Sequence, residues 1–141
     1  MKRASSCMAA VAAVVLTAGP SGQAQSQASL SYEYFKDKVQ PVFLAKRGDH
    51  ARCVVCHAVN NAPFHLVPLS PGATTWNEQQ SRQNFELVQR VAQPGYVDSP
   101  LVKHPLAEEA GGDPHHGGAQ QFTSKEDPAW QTLRAFVMGA K

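Results

Sequence analysis

Cys53-Val54-Val55-Cys56-His57 is the stretch on which the reading of this chain turns. Two thiols one helical turn apart can each bond one vinyl group of the same porphyrin edge. A histidine one residue further on, rotated by about 100° on a helix, then reaches the iron from one face. CxxCH is thus the spacing of a c-type haem attachment site. Competing readings need other residues. A redox dithiol uses CxxC but has no need of the histidine, and it lacks here the βαβ pattern of such folds. A zinc site requires two further ligands. A chance match in a structural loop explains nothing else in the chain.

The N-terminus bears on the cysteines. Lys2 and Arg3 form a short basic region, and Met8 to Ala18 an apolar run. Gly22 and Ala24 are small residues placed for cleavage after Ala24. The apolar run is shorter than the roughly 20 residues of a spanning helix, so a retained anchor is the weaker reading. Cys7 precedes the apolar run instead of following it, which argues against a lipoprotein. We therefore expect residues 1–24 to be a signal peptide, 25–30 a flexible Gln/Ser/Ala leader, and 31–141 a single exported domain. Loss of Cys7 would leave Cys53 and Cys56 alone. A disulfide is what two leftover cysteines ordinarily suggest in an oxidising compartment. Two thioether bonds consume both equally well, and a zinc site then has no cysteine partners.

Charge adds exclusions. The chain has 13 Lys and Arg against 11 Asp and Glu. Cleavage would remove only Lys2 and Arg3, leaving the two signs balanced. No basic stripe points to nucleic acid, and no second apolar run follows the first. A periplasmic or otherwise exported protein is expected.

Helical signals recur along the domain. Ser31 is placed as an N-cap, and Phe35, Val39, Val42 and Phe43 fall on one helical face that would form a wall for the haem. Pro41 interrupts that face and should kink it, and Gly48 stops it. The haem motif should form a short helical turn. A turn-rich loop follows from Asn60 to Gly72, whose Phe64, Leu66, Val67 and Leu69 either fold over the porphyrin edge or pack in the core. His65 in that loop reads as a surface residue. Thr75-Trp76-Asn77-Glu78 resembles a capping box, starting a helix with Phe85, Val88, Val91 and Ala92 inward and Pro94-Gly95 at its end. Trp76 either donates its indole N–H to a haem propionate or is a core residue. Ser99 to Val102 and His104 to Leu106 read as extended or turn segments. Asp127-Pro128 opens a last helix with Trp130, Leu133, Phe136 and Val137 on its apolar face and Gly139 as its stop. The fold class expected is all-α: about three helices with long irregular loops around one covalently bound haem.

His57 supplies one axial ligand by position, and the identity of the other sets the redox behaviour. Met1 and Met8 leave with the signal. Met138 lies at the far end of the last helix, about 15 Å from the preceding loop. Gly111-Gly112-Asp113-Pro114-His115-His116-Gly117-Gly118 occupies the place where a ligand loop would sit, and its glycines let backbone approach a flat ligand. His115 and His116, as neighbours, cannot both reach the iron, and His104 is the reserve. An exposed His-rich turn with an open sixth position is the bland reading.

Taken together, the chain resembles the small single-haem c-type cytochromes of planctomycete type. The resemblance runs from about Tyr34 to the C-terminus. It rests on Phe35 to Val42, Cys53 to His57, Ser81 to Phe85, Ser99 to Val102, Pro105 to Ala107, Gly111 to Gly118 and Asp127-Pro128. The family pattern GGxxHxGG falls on His115 and so implies His115 as the distal ligand. It implies Cys53 and Cys56 as thioether attachments to one haem c, and His57 as the proximal iron ligand. The expected role is electron carrier between redox partner proteins, with no catalytic residues of its own. The alternative is a gas-binding or peroxidase-like haem protein in which His115 or His116 acts as a distal acid/base.

Overall fold

The computed structural model describes residues 28–59, 64–117 and 120–141. The expected signal peptide, residues 25–27 of the leader and the Asn60 to Pro63 turn lie outside the described residues. What is described is helical, with two isolated β-bridges and no strand. No helix among the described residues is long and apolar enough to cross a membrane.

The first helical stretch is continuous but not uniform. Ser31 caps it as expected, its Oγ accepting from the Tyr34 amide at 3.2 Å. Helix α1 (Tyr32–Tyr34) runs into a π turn (Phe35–Val39) and then into α2 (Gln40–Leu44). The disturbance expected at Pro41 takes the form of this widened turn, in which the Gln40 amide bonds back to the Phe35 carbonyl. It lies directly before the proline, whose ring would otherwise press on the Asp37 carbonyl. Phe35, Val39, Val42 and Phe43 are buried, so the inward face is the one the spacing predicts.

Helix α3 (Cys53–His57) packs against α2. Helix α4 (Glu78–Val88) starts two residues later than Thr75 would have it. Asn77 is the cap: its side chain accepts from the Gln80 amide at 2.9 Å, and the Gln80 side chain accepts from the Asn77 amide at 3.1 Å. This is the same reciprocal device in Asn-x-x-Gln form. Thr75 turns its hydroxyl to the Trp76 carbonyl instead. Trp76 is a core residue, buried, with its indole N–H given to the Val67 carbonyl at 2.7 Å. On α4 the face toward the core includes Ser81 and Asn84 as well as Val88, and the Asn84 Oδ1 accepts from the Val67 amide at 2.7 Å.

Freed from capping, Glu78 ties α4 to the first helix. It accepts from Lys36 at 2.6 Å and Tyr32 at 3.0 Å, and pairs with Arg82 at 2.8 Å. The hydrogen bond from Lys36, then that from Tyr32, hold its carboxyl below the ordinary value. A carboxyl lowered by folding stabilises the fold above its unfolded value, about 4.3, and loses that contribution as pH falls through its folded value. Acid unfolding should therefore separate the native chain from Glu78→Gln. The native protein should lose stability more steeply below pH 4, and parallel acid curves would contradict the assignment.

The Ser99 to Val102 region is helical, not extended: α5 (Pro100–Lys103) begins with proline at its first position, where the ring's fixed φ suits a helix. A single 3-10 turn (Glu108–Ala110) follows. Helix α6 (Pro128–Val137) is capped by Asp127, whose Oδ1 accepts from the Ala129 amide at 2.8 Å. The other oxygen of Asp127 takes the Arg47 guanidinium, which also lies 4.7 Å over the Phe122 ring. Trp130 donates its indole N–H to the Val102 carbonyl at 2.8 Å, locking α6 to α5. Phe35 sits at the centre of the core, with ring centroids of Phe85, Phe136 and Phe43 at 5.5, 5.9 and 6.3 Å. At the end of the expected leader, Leu30 packs against this core and Ser29 accepts from Lys141.

Candidate functional site

The site grows from the single turn of α3. Val54 points into the core and Val55 outward, so the turn lies on the surface with its cysteines at the margin: Cys53 half-buried, Cys56 exposed. Both are free thiols. Burial pushes the Cys53 thiol up to about 11, so it is neutral at physiological pH.

His57 ends this turn, and the chain returns to it after residue 63. The Leu66 amide bonds to the His57 carbonyl at 2.7 Å. The Phe64 carbonyl lies 2.8 Å from His57 Nδ1. A carbonyl oxygen only accepts, so Nδ1 carries the proton, and in the neutral ring Nε2 keeps its lone pair. This is the arrangement a metal-binding imidazole needs, with one nitrogen oriented by a backbone partner and the other available. The Phe64 ring stacks at an angle against His57, centroids 4.9 Å apart, and also meets Phe43. Phe64 and Leu69 are half-buried and Leu66 is core.

The second half of the site is the glycine and histidine loop. Both of its stems are stitched to one short segment. On one side the Gly112 amide bonds to the Ala107 carbonyl at 2.9 Å, and the Asp113 amide reaches the Lys103 carbonyl at 3.4 Å. On the other, the Ala107 amide bonds to the Phe122 carbonyl and the Gln121 amide to the Pro105 carbonyl, both at 2.8 Å. Loops closed at the neck in this way hold their own shape.

Docked so, the loop places His116 with its ring centroid 6.3 Å from that of His57, at an interplanar angle of 40°. His115 is exposed next to it. His104, at the end of α5, has its ring 5.1 Å from His116, edge to face at 72°. Its Nδ1 is 3.2 Å from Asp113 Oδ2, and Lys103 Nζ is 3.4 Å from Asp113 Oδ1. The hydrogen bond from His104, then that from Lys103, hold the Asp113 carboxyl below its ordinary value. Met138 is exposed at the end of α6, and His65 is exposed as expected.

The residues fit the group the motif implies. With a metal–imidazole bond of about 2 Å on each side and the half-width of each ring added, two histidines sharing one metal have centroids about 6 Å apart. The His57–His116 separation matches that span. Among the described residues no three His, Cys, Asp or Glu side chains converge as a bare metal ion requires. A porphyrin asks only for the two axial donors and the two thiols. Asp113 and Lys103 are the participants to which local sequence reasoning gives no part, and the Phe64 carbonyl could not be found by it at all. No protein-family model matches the chain, and no curated protein or solved structure is detectably similar to it.

Proposed function

We propose that the chain is an exported single-haem c-type cytochrome, a small all-α domain of cytochrome c-like type that carries electrons between redox partner proteins. Haem c would be attached through Cys53 and Cys56, with His57 as one axial ligand and a histidine of the glycine loop as the other. The observation that carries this reading is the pair of imidazoles 6.3 Å apart, one on the CxxCH turn and one on that loop. The same nearness supports His116 as the second ligand over the His115 implied by the family resemblance.

The haem, when bound, supplies the one-electron couple. The chain's own residues set its conditions. The Phe64 carbonyl holds the His57 proton on Nδ1 and so leaves the lone pair on Nε2 for the iron. Phe64 packs its ring against both His57 and Phe43, giving the proposed ligand an apolar neighbour. Two histidine ligands give a lower potential than a His/Met pair, because methionine favours the reduced state. Val55 is exposed between the two cysteines, so the surface of this turn would be available to a docking partner.

The test is expression with a c-type maturation system. Haem that survives denaturing electrophoresis and a low-spin, six-coordinate absorption spectrum are expected. Cys53→Ser with Cys56→Ser should abolish covalent retention. His116→Ala should turn the iron high-spin and open to carbon monoxide, whereas His115→Ala should leave it low-spin. A native protein that is high-spin and takes up stoichiometric cyanide would replace the carrier with an open-site haem protein. Failure to retain haem would end the reading altogether.

A further inference from the structure

His104 was a reserve ligand by sequence, and Asp113 had no assigned part. Their geometry gives them a different one. His104 presents to His116 in edge-to-face contact, an arrangement that is directional for aromatic rings. His104 is itself held, through Nδ1, by Asp113 Oδ2. Asp113 is fixed in turn by Lys103 on its other oxygen and by its own amide on the Lys103 carbonyl. The residue before it, Gly112, is pinned to Ala107. This chain of contacts begins on α5 and ends on the imidazole nearest His57.

The loop needs such support. Glycine pairs flank its histidines, and glycine gives backbone the most freedom to lose. A ligand on a loose loop leaves its metal often. One whose ring is already oriented by a neighbour returns before another ligand arrives, which is the advantage of preorganisation.

We infer that His104, oriented by Asp113, is a positioning residue that fixes the ring of His116 and so keeps the second face of the iron closed to outside ligands. The inference rests on the haem reading with His116 as the second axial ligand. His104 itself touches neither the iron nor any reacting group; it acts through His116.

The experiment uses the haem-loaded full chain and reads carbon monoxide uptake by the ferrous form, together with the resting absorption spectrum. His104→Ala and Asp113→Ala should keep covalent haem and a low-spin resting spectrum, but take up carbon monoxide at least tenfold faster than the native protein. His104→Phe keeps a ring against His116 but loses the nitrogen that Asp113 holds, so it should take up carbon monoxide as fast as Asp113→Ala. In the His104→Phe background, Asp113→Ala should add nothing further, since Asp113 acts through His104. Native uptake rates in His104→Ala overturn the inference and leave the haem reading standing. Native-like slow uptake in His104→Phe also overturns it, because a ring that Asp113 cannot hold would then serve as well as one it orients. If His116→Ala fails to open the iron, the ligand assignment falls, and this inference falls with it.

Discussion

Gly112→Ala should be among the most damaging single-methyl additions this protein can receive. A Cβ built at that position lies 1.8 Å from the Leu106 carbonyl oxygen, 2.4 Å from its carbon and 2.9 Å from the Ala107 oxygen. All three are backbone atoms, so no flexible side chain can swing away. The loop must lift off Leu106 and Ala107, giving up the Gly112 amide bond to Ala107. Overpacking of a tight site costs about 1–3 kcal/mol and sometimes more; with the lost hydrogen bond added we expect about 3 kcal/mol. At roughly 4–8 °C per kcal/mol for a domain of this size, the thermal midpoint should drop by more than 10 °C, measured by circular dichroism. Gly117→Ala is the control, since a Cβ there meets nothing within 4 Å among the described residues, and it should be near neutral. If the chain carries haem as proposed, Gly112→Ala should also shift its spectrum toward high spin. A midpoint within about 3 °C of the native value, well under 1 kcal/mol by the same conversion, would show that the loop is not docked as described.

Phe35→Ala should have an effect of similar or greater size on stability alone. Phe35 is fully buried, and its ring meets Phe43 on α2, Phe85 on α4 and Phe136 on α6. Removing it takes away the group on which three helices converge and leaves a cavity that rigid aromatic neighbours cannot fill. Truncations of this kind cost about 3–5 kcal/mol. Phe35→Leu retains much of the volume and should cost about half as much or less. Denaturant unfolding of both variants distinguishes the case. A loss below about 1 kcal/mol for the alanine variant, far under the range for buried Phe truncations, would mean that Phe35 is not the centre of the core.

The parts of this fold that could be read from sequence are those written in short-range chemistry. Ser31 and Asp127-Pro128 announced helix starts because caps act within three residues. The stripe Trp130, Leu133, Phe136 and Val137 announced a buried face because 3.6 residues per turn is local geometry. Asn77 was passed over because Thr75-x-x-Glu78 and Asn77-x-x-Gln80 overlap, and only the docking of Glu78 onto Lys36 and Tyr32 decides between them. Helix α5 was passed over because a residue before proline favours extended backbone, whereas Pro100 itself suits a helix start. At the site, the short helical turn from Cys53 to His57 was legible in the sequence. Which of the neighbours His115 and His116 lies beside His57 was not. That depends on where Gly112 docks, and the docking involves backbone atoms of Leu106 and Ala107 that no side-chain pattern reveals. The His57 to Phe64 carbonyl bond is hidden for the same reason.

The neck at Pro105 to Ala107 gives the excursion between Ala107 and Phe122 a certain independence. Both stems are anchored by backbone groups, so, Gly112 apart, their attachment does not depend on which side chains the excursion carries. The entropy of closing such a loop changes only slowly with its length. A stretch of another length, carrying a thioether or a carboxylate where His116 stands, would be received by the same two stems. If the chain carries haem as proposed, the scaffold of helices can then stay unchanged while the electrochemistry is rewritten as an interchangeable cassette.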